Sequence, residues 1–428
     1  MKLRRKPAKV DAKLSINRKN VFEVLGGEDY TQTCVGFRYY KDGLTPWYAP
    51  AAGSAFGDCY KATYGVSLSG LNYAAVVAPA DDVALFSGEI DDVYKNMSNI
   101  GNAHMSAVPV RYRNTNAYFV ILGKKLFVVN KSSMSLYRGE LPINTYLSIG
   151  HCNRIFAVGT EDECKLYWSP PDPDFFSAWD GTNGSGYLSL GAEQGGIVGL
   201  EHMGSNLVVV RKRGVTVLKV LGDIRHLSVE RVSEIELPNA YKFGTAALNG
   251  KIYIATEQGL CVFDGEKVTD LRKPFSLNGI TAITAAFGFD NKIYVAQKDG
   301  EVNRCYEYDP ETDCIVQFAD NLRMLTHTDR NLLCVKKDSM FYYLEKGISD
   351  PNRKWQSKPL DFGYKGKKLL RSVTVECSAG ASVSVTCGEK TKSFTGAGTF
   401  YFGESGKEFV FTAKGYGKIT RISCEWEA

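Results

Sequence analysis

The chain has 428 residues, of which 42 are Gly, 14 are Pro and 44% are apolar. A glycine content above the usual share of about 7%, together with 12% aromatic residues, is typical of turn-rich β structure, and the apolar content excludes global disorder. The formal net charge of +5 is uneven: residues 1–19 carry eight basic side chains and one acidic side chain, so the rest of the chain has a net charge of −2.

Residues 1–19 form a basic N-terminal arm, and we name Lys2, Arg4, Arg5 and Lys6 as candidate interface residues within it. No apolar run of about 7–15 residues follows the arm, which excludes a secretory signal peptide, and no run approaches the roughly 20 residues of a membrane helix. We therefore expect synthesis in a cytoplasm and no membrane span. Three interpretations stay open: a solvated tail, docking on an acidic patch of an adjacent subunit, and non-specific contact with DNA.

A short pattern, Asn followed by an apolar strand, recurs about every 43 residues. It occurs at Asn72, Asn116, Asn153, Asn206, Asn249, Asn291 and Asn331. Asn suits a turn before a strand because it tolerates positive φ and bonds to the local backbone. A strand-like segment precedes each Asn and another follows after a short turn. Four antiparallel strands at this period predict a propeller blade.

The fold class that we expect is all-β, with a roughly seven-bladed β-propeller over residues 59–362. Residues 1–58 form the arm and an irregular lead-in that could donate a strand to the last blade. After Gly363, six short alternating strands predict a small C-terminal β-sandwich or jelly-roll domain, residues 363–428. Six or eight blades, or a pair of β-sandwiches, stay open as alternatives.

Residues able to perform chemistry are sparse and scattered. The five His residues do not pair at ligand spacing, the 11 Cys include no C-x-x-C pair, and there is no phosphate-binding or serine-nucleophile motif. We therefore expect no enzyme activity, no cofactor and no metal site. Acidic segments that could supply two glycosidase carboxylates are Asp81-Asp82, Asp91-Asp92, Glu161–Glu163 and Asp172 with Asp174. Their Gly-, Pro- and polar-rich surroundings favour turns and caps instead.

The segment from Asn153 to Asp223 is the most distinctive. A predicted strand ends at Trp168, and prolines then forbid a strand before the aromatic residues Phe175, Phe176 and Trp179. These aromatics either plug one blade and anchor a loop, or dock a neighbouring subunit, since aromatic residues are enriched at interface hot spots. We name Trp168, Phe175, Phe176 and Trp179 as interface candidates.

Five short motifs in this segment resemble a pattern found in β-propeller virion proteins of bacteriophage necks and tails, the stabilisation (tail hub) and tail nozzle proteins. The motifs are Arg154–Gly159, Leu166–Ser169, Asp172–Phe176, Ile197–Leu200 and Leu207–Arg211. The resemblance implies a structural protein of the virion that assembles as a homo-oligomeric ring around the DNA channel, with a hexamer as the expected ring and portal, adaptor or other tail proteins as neighbours. The alternatives are a carbohydrate-binding or carbohydrate-cleaving β-propeller and a bacterial propeller scaffold unconnected with phages.

Overall fold

The computed structural model describes most of the chain from residue 20 onward. The described ranges are 20–25, 31–40, 43–55, 60–66, 74–79, 83–86, 90–94, 105–113, 115–130, 136–172, 174–222, 227–271, 282–300, 302–327, 332–336, 340–346 and 353–428. Every regular element in these ranges is a strand. They contain no helix with the length and apolar character needed to cross a membrane.

The described residues form two compact units. The propeller unit contains residues 52–315 and 321–343, and the sandwich unit contains described residues from the ranges 1–51, 316–320 and 344–428. The lead-in strands are β1 (Asn20–Glu23), β2 (Thr31–Val35), β3 (Phe37–Tyr40), β4 (Gly43–Pro46) and β5 (Tyr48–Ala55).

The repeat region contributes strands β6 to β29. They are β6 (Tyr60–Val66), β7 (Ala74–Pro79), β8 (Val83–Phe86), β9 (Ile90–Tyr94), β10 (Met105–Tyr112), β11 (Thr115–Asn130), β12 (Leu136–His151), β13 (Arg154–Gly159), β14 (Lys165–Trp168), β15 (Gly186–Ser189), β16 (Ile197–Met203), β17 (Asn206–Arg211), β18 (Gly214–Gly222), β19 (Leu227–Glu236), β20 (Ala240–Leu248), β21 (Lys251–Thr256), β22 (Gly259–Phe263), β23 (Val268–Asp270), β24 (Ile283–Phe289), β25 (Lys292–Asp299), β26 (Val302–Asp309), β27 (Cys314–His327), β28 (Leu332–Lys336) and β29 (Met340–Lys346).

The C-terminal region contributes the last seven strands. They are β30 (Lys354–Ser357), β31 (Lys368–Cys377), β32 (Ala381–Cys387), β33 (Lys390–Thr395), β34 (Gly398–Gly406), β35 (Val410–Gly415) and β36 (Ile419–Glu427). The six strands expected after Gly363 are therefore all present.

Strands β6 to β29, together with the lead-in strand β5, form seven four-stranded blades. Three are separate sheets with the orders β6-β7-β8-β9, β16-β17-β18-β19 and β20-β21-β22-β23. Strands β10 to β15 supply two more: β11 provides two strands of the second blade, on either side of Gly123, and β12 provides the last strand of the second blade and the first strand of the third. The sixth follows the order β24-β25-β26-β27, and the seventh contains the second half of β27, then β28, β29 and the lead-in strand β5. The chain is thus an all-β, seven-bladed propeller with a β-sandwich.

The apolar core of the propeller unit lies between successive blades. One cluster joins Phe156 and Leu166 of the third blade to Leu200 and Leu207 of the fourth, and similar clusters follow between the fourth and fifth and between the fifth and sixth blades. Because both faces of these inner sheets are covered, β13 is buried along its whole length. This explains the continuous apolar runs in the sequence.

The sandwich unit contains two sheets around one aromatic core. One has the order β3-β4-β36-β31-β34, with β1 also on β36, and the other contains β30-β35-β32-β33, with β2 on β30. The lead-in strands β1 to β4 therefore belong to this unit, and buried Phe37 and Leu44 complete its core. Phe362, the last residue of the range in which the sequence predicted the propeller, is also buried there, with its ring centroid 5.3 Å from that of Phe409.

Arg353 joins the lead-in to the C-terminal strands inside the sandwich unit. Its side chain is fully buried, and it donates hydrogen bonds to the carbonyls of Gly36 (2.8 Å) and Trp47 (2.9 Å). A buried guanidinium is tolerated only where its donors are satisfied, and these carbonyls provide two of the acceptors.

Candidate functional site

The first strand of each blade, which we call the inner strand, lies beside the inner strand of the next blade in the part of the ring for which contacts are described. The inner strands include β10, the second half of β12, β16, β20 and β24. Each of these leads into the second strand of its blade through a two-residue turn, for example Cys152-Asn153 and Asn249-Gly250. These turns contain or directly precede the Asn residues of the sequence repeat.

Backbone geometry explains why Asn recurs in the turns. Asn153, Asn249 and Asn291 have positive φ values of 54°, 51° and 57°, which Asn tolerates better than most residues. Asn206 and Asn116 instead lie in β17 and β11, just after the turn. The remaining two, at 72 and 331, lie outside the described residues. The Asn153 side chain also accepts a hydrogen bond of 2.8 Å from the backbone N–H of Arg111, in the preceding blade.

Glu201 on β16 links the fourth blade to the fifth. Thr245 of β20 donates its hydroxyl to Glu201 Oε1 at 2.8 Å, and the backbone N–H of Ala247 is a second donor. The residue as a whole is partly exposed, but its carboxyl lies deep among protein atoms, and this burial raises its pKa to about 7 despite the two hydrogen bonds. Glu201 is therefore a titratable group placed between two blades.

Glycine residues allow the inner strands to approach this closely. A Cβ at Gly199 would come 2.3 Å from the Thr245 side chain, and one at Gly150 would come 2.4 Å from the carbonyl oxygen of Pro109 in the neighbouring blade. Gly288 repeats the arrangement, with a Cβ position 2.6 Å from the carbonyl oxygen of Ala247. Any larger residue at these positions would separate the strands, so the close packing depends on glycine.

Two histidines meet where the inner strands of the third and fourth blades end. The ring centroids of His151 and His202 are 5.2 Å apart, and His202 donates to the carbonyl of Gly150. Burial, with a smaller contribution from His202, lowers the pKa of His151 to about 4. The His151 ring is therefore neutral at pH 7 and buried, whereas His202 is exposed beside it. No group of three His, Cys, Asp or Glu residues suited to a metal ion occurs within the described ranges.

A second polar contact lies at the opposite ends of the inner strands. The Lys242 ammonium pairs with Glu163 and lies 4.8 Å from the ring centroid of Tyr146. Tyr146 donates its hydroxyl to the carbonyl of Ile197 at 2.6 Å. Burial raises the pKa of Tyr146, and the charge of Glu163 adds to this. These four residues connect the third, fourth and fifth blades.

The aromatic segment predicted as an interface packs mainly inside the propeller. Phe175 is fully buried with its ring centroid 5.1 Å from that of Phe119, and the indole of Trp179, which is 4% exposed, donates to the carbonyl of Phe175 at 3.0 Å. The interface interpretation of Phe175 and Trp179 is therefore wrong, because their side chains fill the core around the second blade. Their alternative role, anchoring a loop, is what the structure shows.

Phe176 and Trp168 are partly buried. Phe176 packs on the same core, close against Gly139, and Trp168 packs on the core between the third and fourth blades, close against Gly186. Their role in an interface stays a prediction. Lys2, Arg4, Arg5 and Lys6 lie outside the described residues.

Arg154 holds the loop that carries these aromatics. It is 1% exposed and donates from one guanidinium nitrogen to the carbonyls of Ser169 (2.8 Å) and Gly184 (2.9 Å), which are the two ends of the loop. Asp172, a candidate acid, accepts from the backbone N–H of Arg113 at 2.9 Å and so fixes the loop to the second blade.

Arg211 likewise holds the segment that connects the third blade to the fourth. It is 1% exposed and donates to the carbonyls of Gly191 (2.6 Å) and Gly195 (3.2 Å), and it pairs with Glu234 at 3.2 Å. From the sequence, Arg154 and Arg211 were identified only as members of the motifs that resemble phage propeller proteins. Their position at the end of a strand was the available signal for the structural role described here. The sequence offered no signal for Glu201 or Thr245, since their meeting depends on blade packing.

Two of the other candidate acids have local structural contacts. Asp162 accepts from the backbone N–H of Cys164 at 3.0 Å and lies 3.7 Å from the Lys165 ammonium, while Glu163 pairs with Lys242. Asp91 and Asp92 lie on β9, and residues 81 and 82 lie outside the described ranges.

No protein-family model matches the chain, and no curated protein matches it. Similar solved structures include BBS1N in complex with ARL6DN (13% identity over 71% of this chain and 97% of that chain, TM-score 0.43). Others are the β-propeller domain of Cps50 (Swd1) from Myceliophteria thermophila (9%, 69% and 99%, TM-score 0.43) and BamB from Moraxella catarrhalis (10%, 76% and 98%, TM-score 0.42).

Proposed function

We propose that this chain is a structural subunit of a bacteriophage neck or tail, which acts by assembling as a ring around the DNA channel and not by catalysis. The observation that carries the proposal is the role of Arg154 and Arg211. Both residues belong to the motifs that resemble phage propeller proteins. Each is buried and fixes a connecting segment by donating hydrogen bonds to two carbonyls of that segment. The segment that resembles phage propeller proteins thus folds as one connected part of the propeller.

The contacts between blades support a rigid, load-carrying body. Glu201 with Thr245 and Lys242 with Glu163 join successive blades through side chains. The Glu201–Thr245 contact is partly buried, and enclosed polar groups that are satisfied in this way favour one packing arrangement over others. A rigid subunit with few unpaired strand edges suits a particle in which copies pack side by side.

The direct test is cryo-electron microscopy of phage particles produced from the genome that encodes the chain, with the protein carrying a C-terminal epitope tag. We expect the tag on purified particles and a cyclic ring, most simply a hexamer, at the neck or tail. Particles that lack the protein would contradict the proposal, as would purified protein that remains monomeric at every concentration tested.

The basic arm provides a second test of the same proposal. Deleting residues 2–19 removes seven net positive charges, and we expect the propeller to fold normally while ring assembly or particle yield falls. The matched control replaces the eight basic residues of the arm with Gln at unchanged length, which separates charge from chain length. Normal assembly by both variants would remove the arm from the mechanism.

A further inference from the structure

Tyr401 is the most exposed aromatic side chain among the described residues, with an exposed fraction of 75%. It lies on β34 between Phe400 and Phe402, which face the core of the sandwich unit. Alternation along a strand therefore directs Tyr401 to the outer face of its sheet. The Tyr401 ring therefore carries apolar surface that folding has not covered.

The ring of Tyr401 is held against its own strand. A Cβ at Gly403 would come 2.4 Å from Tyr401 Oη and 2.5 Å from two atoms of its ring, so the phenol end lies over the glycine. Gly403 also has a φ of +70°, which disfavours any residue with a side chain. Because the glycine has no side chain, the ring can lie flat against the strand. A ring that is already oriented loses little entropy when a ligand stacks on it.

The polar side chains beside Tyr401 are paired with one another. Arg371 bonds Glu427 at 2.5 Å, and the Ser372 hydroxyl, on the residue opposite Tyr401, bonds Glu425 at 3.2 Å. On the other side, Lys390 bonds Glu404 at 2.8 Å, and the Lys392 ammonium lies 5.9 Å from the centroid of the Tyr401 ring. The outer face of this sheet continues with Thr374 bonded to Thr399 and Arg421 bonded to Glu376.

These contacts define the chemistry that the face can recognise. Its four basic and four acidic side chains balance, so it offers hydrogen-bond donors and acceptors without a net charge. A polyanion gains nothing from such a surface. A sugar ring fits it, because its C–H groups can pack on the electron-rich face of Tyr401 while its hydroxyls meet the surrounding charged groups.

We propose that Tyr401, with Arg371, Ser372, Glu427 and Lys392 around it, forms a binding site for a neutral glycan on the sandwich unit. The ring of Tyr401 stacks on one sugar, and the paired side chains provide the hydrogen bonds that select among hydroxyl arrangements. The site is independent of the proposed structural role, because it uses none of the residues that join the blades.

The full-length protein would be screened on a microarray of neutral and acidic bacterial oligosaccharides, and the strongest neutral probe would be titrated by calorimetry. We expect binding to neutral probes, a loss of about 10-fold or more in affinity for Tyr401→Ala, and retained binding for Tyr401→Trp, which keeps a stacking face. Tyr187→Ala is the matched control, since Tyr187 is 53% exposed on the propeller, and it should bind as the original protein does.

Four outcomes overturn the proposal: no binding to any neutral probe, unchanged affinity in Tyr401→Ala, an equal loss in Tyr187→Ala, and a preference for acidic probes. Circular dichroism of each variant shows whether the sandwich remains folded. If Tyr401→Ala unfolds, Arg371→Gln supplies the same test, because its guanidinium faces the proposed sugar hydroxyls; unchanged affinity in that variant overturns the proposal.

Discussion

Arg154 in the propeller unit and Arg421 in the sandwich unit carry the same guanidinium group in opposite surroundings. Arg154 is 1% exposed and donates to backbone carbonyls at both ends of a loop, whereas Arg421 pairs with Glu376 at 3.4 Å on an open sheet face. A buried donor that is removed leaves acceptors without partners, while a surface pair is replaced by water. Arg154 therefore holds a loop in place, as the buried Arg353 does between segments of the sandwich unit, whereas Arg421 carries its charge at the surface.

Aromatic and acidic residues show the same contrast between enclosed and exposed positions. Phe175 is fully buried in the propeller, and Tyr401 is 75% exposed on the sandwich. Glu201 has its carboxyl enclosed between two blades, and Glu376 lies at the surface with Arg421. In this protein, therefore, residue type alone does not determine whether a side chain stabilises the core or lies at the surface. The environment of the side chain does.

The largest effect is expected for Phe175→Ala. Removal of the ring leaves a cavity beside Phe119, and we expect the free energy of unfolding of the propeller to fall by about 4 kcal/mol. Tyr401→Ala is the matched control and should change it by less than about 0.5 kcal/mol. Urea denaturation followed by circular dichroism measures both variants, and equal effects would show that the contrast between the two aromatics is wrong.

Arg154→Met should come next, with a loss of about 3 kcal/mol, because the carbonyls of Ser169 and Gly184 lose their donor. The loss should be local at first, so hydrogen exchange should accelerate in the segment between these two residues before the rest of the propeller is affected. Unchanged exchange in that segment would exclude the anchoring role assigned to Arg154.

Glu201→Gln should have a smaller effect that depends on pH. Burial raises the pKa of Glu201 from 4.5 to about 7, so between these values the folded state holds a proton that the unfolded state has released. The original protein therefore loses stability as the pH rises from about 4.5 to 7, and below 4.5 this loss is absent. We expect Glu201→Gln to be more stable than the original by about 1 kcal/mol at pH 8 and nearly equal to it at pH 4.

Thermal denaturation across this pH range measures the difference. Glu376→Gln is the control, since that carboxylate lies at the surface, and its stability should follow the original protein at every pH. A constant difference between Glu201→Gln and the original protein from pH 4 to pH 8 would contradict the assignment.

The smallest effect is expected for Arg421→Met, which breaks only the surface pair with Glu376. Exposed ion pairs contribute about 0.2–1 kcal/mol and are screened by salt. We expect a change of less than about 0.5 kcal/mol in the free energy of unfolding, which 0.5 M NaCl reduces further. A loss as large as that of Arg154→Met would remove the distinction between the two arginines.

Much of the fold was predictable because blade repeats and strand alternation are local patterns. The segment from 283 to 289 was expected as a strand before the Asn291 turn, and it is β24. The six C-terminal strands were also predicted, since their apolar and polar residues alternate strictly. The pairing of the lead-in with these strands was not, because Phe37 and Leu44 reach their partners across more than 300 residues of chain.

The candidate sites were less predictable. The aromatic character of Phe175 and Trp179 was visible, but the sequence could not decide whether these side chains face a partner or the core. Glu201 and Tyr401 had no signature at all: the first depends on the approach of two blades through Gly199, and the second on a glycine two residues further along the same strand.

By itself, the sequence determined the all-β class, the repeat length and the positions of the Asn turns, because these depend on near neighbours in the chain and on backbone preferences. The tertiary structure alone decided which polar groups are enclosed and which are displayed. Arg154 and Arg421 are chemically identical, and only the packing of blades around one and of solvent around the other gives them different energies and different roles.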